Sequence, residues 1–332
     1  MKLSLIRKVY PLKYPFKLSY GTFTERVGYL VKLEEGGYTG WGEMSVVPYY
    51  NKDEGIIKKE FEDSGRYLST VSEDWTPEGL YDEMVAKLPL DPFIRSAVDC
   101  ALYDLYGKKH GKSTWRLVGG KEKVPVLSSL TITEDDWEEK LDWEWPILKL
   151  KMGFRGDIQL LTKIRKKFDG VIRIDANSGW NQENMEKNLA VMKDLEIELI
   201  EQPVPKNEDI FLSEFDPGIP FVADESFQGL ENLLEMNQRY QVINVKLQKC
   251  GGITPALRII EKAKAMDLKI MAGCMTESSI GIGAICQLAG YFDYLDVDGE
   301  YLIDFDFQEA LFLNKGFVLL DDKPGMGKNY IL

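Results

Sequence analysis

The sequence predicts an α/β protein: a (β/α)8-type barrel, a modified TIM barrel, with an N-terminal α+β capping domain that the C-terminal tail completes. Three observations lead there. Short runs rich in Val, Ile and Leu recur from residue 124 at a spacing in the twenties. The first third reads instead as strands followed by helices. After Gly299 the recurrence stops. These give a cap over 1–120, a barrel over 121–298 and a returning segment over 299–332.

Residues 1 to about 60 carry strand and turn signals. YLVKLEEGGYTGWGE alternates, breaks at Gly-Gly and alternates again, which is a hairpin pattern. Residues from about 55 to 120 are helical in pattern, and FIRSAVDCALYDLYGKKHG keeps its apolar residues at helical spacing until a terminal Gly. Strands then helices make an α+β module. The barrel runs are VPVLSSLT, ILKLKMG, VIRIDAN, LIEQPV, FVADES, VINVKLQ, KIMAGCM and YLDVDG. Markers Lys149, Ile174, Ile200, Val222, Val245, Met271 and Leu295 are separated by 25, 26, 22, 23, 26 and 24 residues. Such a period, strand then helix, belongs to a parallel α/β fold, and eight runs favour a closed barrel. A doubly wound sheet is second, since no GxGxxG follows any run. The first unit, with ITEDDWEEKLDWEWP between its runs, is short for a full helix. The tail FLNKGFVLLDDKPGMGKNYIL is expected to pack back onto the cap.

Composition narrows the function. The 332 residues hold 41 Lys+Arg and 54 Asp+Glu, a net charge of −13, which disfavours nucleic acid and anionic membranes as partners. The four cysteines form no CxxC, and with a single His there is no zinc cluster of His and Cys. Arg7 and Lys8 interrupt the start, and no apolar run reaches the roughly 20 residues of a membrane span. A cytoplasmic protein is expected. His110 lies in YGKKHGKS and reads as a solvated helix end, so bases must be sought among Lys, Asp and Glu.

In a barrel of this kind the reactive groups sit at the C-terminal strand ends. Those ends read Lys149-Leu150-Lys151, Asp175-Ala176-Asn177, Glu201-Gln202-Pro203, Asp224-Glu225-Ser226, Asn244-Val245-Lys246 and Asp296-Val297-Asp298. Unpaired buried charges are costly, so such a set calls for a function. Asp175, Glu201 and Asp224 come from consecutive strands and suit Mg2+, a cation that prefers oxygen ligands. Lys151 and Lys246 come from runs two and six, opposite one another in a ring of eight. Lys149 shares a face with Lys151, and two adjacent ammonium groups near Mg2+ are expected to lower each other's pKa. A cation that neutralises an enolate, between two opposed bases, suits racemisation or epimerisation. Asp296 and Asp298, expected opposite run four and away from the metal, would attract a cationic end of the substrate. The ligand so defined has a carboxylate, an acidic carbon beside it and a distant ammonium, and a dipeptide meets all three conditions.

LKLKMG, IDANSGW, IEQPV, VADES, INVKLQKCGG, AGCMTESSIG and YLDVDG together resemble the enolase superfamily in its muconate-lactonising subgroup, and within it the dipeptide epimerases. SAVDCALYDLYGKKHGKSTWRLVGG is similar to the family's passage from cap to barrel, and KPGMGKNYIL to its return. The resemblance implies a Mg-dependent enzyme inverting the α-carbon of a dipeptide's C-terminal residue, such as L-Ala-D/L-Glu, through a metal-stabilised enolate. It assigns Asp175, Glu201 and Asp224 to the metal and Lys151 and Lys246 to acid/base work. Asp296 and Asp298 take the ammonium, Lys149 is an auxiliary lysine, and Thr131 and Cys274 contact substrate. Lys249 is expected to be inert and solvated. PFKLSYGTFTERVGY, hinged at Gly21, and GEMSVVPYYNKDE resemble lids; the first has no Arg at the expected place, with Lys17 or Arg26 as substitutes. A homo-oligomer is allowed.

The first alternative is an o-succinylbenzoate synthase-type lyase, or a cycloisomerase, of the same subgroup. Such an enzyme has no use for an ammonium site. A Schiff-base aldolase would leave the three carboxylates unexplained, and a non-catalytic binding protein would leave the whole set without purpose.

Overall fold

The computed structural model describes residues 1–332 apart from 19–20, 51, 73, 121–125, 305–310, 329 and 331–332, and apart from the side chains of 16–18. The cap begins with an antiparallel sheet of β1 (Lys2–Leu18), β2 (Gly21–Glu35) and β3 (Tyr38–Val46) in that order. Gly36 and Gly37 turn the second hairpin with φ of 57° and 83°, the left-handed values that a two-residue turn of matching twist needs. Three helices, α1 (Glu54–Ser69), α2 (Pro77–Lys87) and α3 (Pro92–His110), cover one face. Tyr29, Val31, Leu33 and Met44 meet Phe61, Phe93 and Ala97 there. A Cβ on Gly42 would stand 1.9 Å from Ala97 O, and one on Gly40 2.2 Å from Ala101 O, so Gly-x-Gly lets α3 lie directly on the sheet. Asp91 caps α3 through Phe93 N, and Gly111 ends it in the left-handed conformation. His110 is exposed at that end, its ring against Tyr106.

The chain then enters α4 (Thr114–Leu117) and eight parallel strands in sequence order: β4 (Leu130–Ile132), β5 (Ile147–Lys151), β6 (Val171–Asp175), β7 (Ile197–Glu201), β8 (Phe221–Ala223), β9 (Val242–Val245), β10 (Lys269–Gly273) and β11 (Tyr294–Asp296). Ser128 bridges to Leu295 in parallel and Ser129 N donates to Leu295 O at 3.1 Å, so first and last strands meet and the sheet closes. The helices between strands are α5 (Trp137–Leu141), α6 (Asp157–Arg165), α7 (Gln182–Asp194), α8 (Leu233–Met236), α9 (Leu247–Cys250), α10 (Ile253–Lys264), α11 (Ser279–Cys286) and α12 (Gly299–Leu302). The five residues of α5 bear out the shortened first unit.

Alternation decides what lines the interior. Leu148, Leu150, Ile172, Ile174 and Ile200 belong to the large core between strands and helices. Leu199, Val222, Val242 and Met271 form a separate buried cluster. Residues two apart share a face, so Leu199 puts Glu201, Val222 puts Asp224 and Val242 puts Asn244 and Lys246 on the inner side.

The tail does return to the cap, but it first crosses the bottom of the barrel. The hairpin β12 (Leu313–Asn314) and β13 (Phe317–Val318) offers Gly316 O to Ser128 N at 2.9 Å. Gly325 O then accepts from Thr114 N at 2.7 Å, Met326 N donates to Asp104, and Tyr330 packs with Leu30, Trp41 and Ile280. No described helix is long and apolar enough to cross a membrane.

Candidate active site

One cavity at the C-terminal strand ends, roofed by the cap, gathers Lys149, Lys151, Asp224, Lys246, Asp296, Asp298, Thr131 and Cys274. Lys149 and Lys151 leave β5 on the inner face. Lys151 Nζ donates to Asp175 Oδ2 at 2.6 Å, and on the far side Lys246 Nζ donates to Asp224 Oδ2 at 2.7 Å. Asn244, earlier on the strand that leads to Lys246, holds Glu201 Oε1 at 2.7 Å. Asp175 and Glu201 are buried behind the cavity wall.

Lys149 overturns the expectation for run eight. Its ammonium meets Asp296 and Glu201 together and stands 3.5 Å from Asp175. Asp296 is therefore linked to the carboxylate cluster, not set apart from it. A lysine long enough to cross the mouth of the barrel makes that link. Ser129 Oγ donates to the other Asp296 oxygen at 2.6 Å. Asp298 accepts from Thr131 N at 2.6 Å and Thr131 Oγ1 at 3.1 Å, so Thr131 orients the acid that shares its cavity wall.

The Lys149 charge lowers Lys151, as expected of adjacent ammonium groups, but the carboxylates around them carry the balance the other way. Burial favours neutral lysines, but the surrounding carboxylates outweigh it. Asp296, Glu201 and Asp175 hold Lys149 well above its usual range, Asp175 raises Lys151, and Asp224 and Glu201 raise Lys246 well above. Conversely, burial would raise Asp224, but Lys246 and Lys249 hold it far below its usual value. Glu201 is pushed up to about 7 by burial and by Asp175 and Asp224, against the pull of Lys149. Burial, followed by the Asp298 charge, lifts the Cys274 thiol well above its usual range, so it stays protonated.

Lys249 is a second correction. It is buried, and its Nζ donates to Asp224 O at 2.6 Å, Asp224 Oδ1 at 2.7 Å and Phe227 O at 3.0 Å. A short helix follows Lys246 and turns Lys249 back beneath the end of β8, a path that strand alternation does not describe.

The donor set fits a hard divalent cation. Among the described residues no three Asp, Glu, Cys or His side chains stand close enough to grip a metal as they are, because lysines lie between them. Oxygen is nevertheless in excess. Beyond the three carboxylates, the carboxyl of Glu225 is pushed up to about 8 by burial, Asp224 and Asp175, and its buried Oε2 has no hydrogen-bond partner, so a nearby cation would favour its ionised form. Oxygen donors alone, several of them anionic, match Mg2+.

The cap supplies groups that sequence reasoning left out or left open. Val47, Tyr49 and Tyr50 line the cavity from the second lid segment. Arg26 reaches it from β2, only 4% exposed, with its guanidinium 4.1 Å from the Phe23 ring. Ser19, Tyr20 and the Lys17 side chain, in the segment expected to be the first lid, lie outside the described residues. Glu225 stands among the charged strand ends and Tyr50 inside GEMSVVPYYNKDE, but the sequence assigns neither of them a role.

Fold and site define a class: barrel enzymes with their polar groups at the strand ends beneath a capping domain. The chain belongs to the enolase superfamily. Residues 1–119 match the mandelate racemase / muconate lactonizing enzyme N-terminal domain, and residues 134–330 match the enolase C-terminal domain-like family. It is 33% identical to the L-Ala-D/L-amino acid epimerase of Flavobacterium johnsoniae, over 98% of this chain and 99% of that one. An enolase family member from Agrobacterium tumefaciens with homology to dipeptide epimerases, solved with sodium and L-Ala-L-Glu, superposes with a TM-score of 0.86. It is 30% identical, over 95% of this chain and 96% of that one. A dipeptide epimerase from Enterococcus faecalis, complexed with Mg and L-Leu-L-Tyr, gives 0.87 at 27% identity over 98% of each chain.

Proposed function

We propose that the protein is a Mg2+-dependent dipeptide epimerase that inverts the α-carbon of the C-terminal residue by two-base proton transfer. The observation that carries this reading is the pair Lys151 and Lys246, which line one cavity from strands four apart in the ring. Asp175, Glu201 and Asp224 would hold the cation. When bound, Mg2+ supplies positive charge that offsets the carboxylates now holding the lysine protons and the charge developing on the substrate carboxylate. Lys151 and Lys246 face the α-carbon from opposite sides: one removes its proton and the other returns a proton on the far face. Lys149 keeps Asp296 and Glu201 in place. Asp298, oriented by Thr131, takes the substrate ammonium, an end that the lyase alternative does not need. Val47, Tyr49 and Tyr50 exclude water above the reacting carbon.

Arg26 gives the cavity a cation beside the lid, which favours an acidic C-terminal side chain, as in L-Ala-D/L-Glu. All these groups come from one chain, so a homo-oligomer is not required for chemistry. The divisions at 120 and 298, and a cytoplasmic setting in which the four free cysteines stay reduced, belong to the same proposal.

The test is proton exchange in D2O with Mg2+ and L-Ala-L-Glu, followed by NMR. Wild type should incorporate deuterium and invert. Lys151→Ala and Lys246→Ala should both lose inversion, each keeping exchange of only one epimer. Exchange of both epimers by either variant would rule out the two-base reading.

A further inference from the structure

Behind the cavity, a buried network joins the ends of β7 and β8. Gln202, directly after Glu201, is fully buried and has a φ of 36°. A non-glycine residue holds such a conformation only when its surroundings over-determine it. Here they do. Gln202 Oε1 accepts from Asp224 N at 3.0 Å and Ser226 N at 3.1 Å, while Nε2 donates to Val204 O at 2.8 Å and toward Ser226 Oγ at 2.8 Å and Tyr240 OH at 3.1 Å. Both hydroxyls donate onward to one oxygen of Asp209, Ser226 at 2.6 Å and Tyr240 at 3.0 Å. Arg239 Nη1 holds the other Asp209 oxygen at 2.8 Å. Asp209 is 1% exposed and lies outside the cavity lining.

The direction of these bonds matters. A hydroxyl that donates to Asp209 has its lone pairs free for the Gln202 amide. The hydroxyls thus share with Val204 O the task of holding the amide with its oxygen toward the backbone of the loop carrying Asp224. Without Asp209 the two hydroxyls lose their common acceptor and can shift, and Gln202, still oriented by Val204 O, Asp224 N and Ser226 N, loses the support that fixes its place between β7 and β8. We propose that Asp209 is a positioning residue for the cation site, setting the relative placement of Glu201 and Asp224 through Ser226, Tyr240 and Gln202. The inference rests on the reading of Glu201 and Asp224 as cation ligands. Groups that support ligands from behind typically change metal affinity about 10- to 100-fold when removed.

The experiment is calorimetric titration of the metal-free full chain with Mg2+ alone, alongside rates at varied Mg2+. Asp209→Asn should weaken Mg2+ binding about 10-fold or more. Its rate curve should shift to higher Mg2+ by the same factor, with kcat at saturating Mg2+ close to wild type. Tyr240→Phe, which removes one donor and keeps the ring, should shift both in the same direction by a smaller factor. A lower melting temperature with wild-type Mg2+ affinity would make Asp209 merely structural and overturn the proposal. If Asp209→Asn does not fold, an unchanged affinity in Tyr240→Phe overturns it instead. Glu201→Gln and Asp224→Asn separate the two levels of the argument. Should they keep wild-type affinity, the ligand reading itself fails; should they lose it while the Asp209 and Tyr240 variants do not, only the positioning role fails.

Discussion

Asp298→Asn tests the ammonium site without touching the proposed cation ligands or bases. Asp298 is 2% exposed, and its two oxygens accept from Thr131 N and Oγ1. Asparagine keeps the shape and one acceptor but removes the charge. Two unit charges about 4 Å apart attract by about 4 kcal/mol at an effective dielectric of about 20. Part of that attraction survives in Asp296, whose own charge is shared with Lys149. A net loss of about 2 to 3 kcal/mol corresponds to about 30- to 150-fold weaker binding. The loss belongs in KM for L-Ala-L-Glu, with kcat little changed, because the ammonium lies away from the carbon that reacts. N-acetyl-L-Ala-L-Glu has no ammonium, so the substitution should change its KM less than about 3-fold. Initial rates of both compounds, followed by polarimetry, decide the matter. Equal losses for the two, or no loss for either, would refute the charge argument. Burial and the Asp296 charge push the Asp298 carboxyl up to about 6, so dipeptide binding should weaken as pH falls through that value, and the inflection should vanish in Asp298→Asn.

Two further predictions concern stability. Glu43 on β3 accepts from Ser278 N, Ser278 Oγ and Gly281 N of the barrel, yet burial, followed by the Glu277 charge, pushes it up to about 7 from 4.5. Below the lower value it is protonated whether folded or not. Between the two values only the unfolded chain gives up the proton. Stability should therefore fall by roughly 3 kcal/mol from pH 4.5 to above 7 on this account, and Glu43→Gln should flatten the slope. Urea unfolding at several pH values reads this directly, and an unaltered slope in the variant would count against it. Lys249→Met should cost about 3 kcal/mol or more, since it removes the cation from one oxygen of buried Asp224 and a donor from the Asp224 and Phe227 carbonyls. A change under about 0.5 kcal/mol in the same assay would mean that Lys249 behaves as a surface residue.

Strand alternation explains why so much of the site could be read in advance. Each of the eight apolar runs became one of β4 to β11, and the Gly-Gly break became the turn between β2 and β3. A charge at the end of an apolar run is visible in a string of letters, which is how Asp175, Glu201, Asp224 and Lys246 stand out. Lys249 was misread because it follows the strand on a helical turn, where alternation no longer applies. Arg26 was left open because nothing near it in the sequence says that β2 reaches the barrel mouth.

The sequence by itself determined the barrel, the cap, the group of strand-end carboxylates and the opposed lysines, because these depend on periodicities of two and of about twenty-four residues. Only the tertiary structure decided which acid each lysine meets. Lys149 reaches Asp296 across 147 residues of chain, and Glu43 reaches Ser278 across 235. Such pairs are set by closure of the sheet and by the seating of the cap. They settle the protonation of the site, since the field at a buried group comes from whichever charges the fold brings beside it.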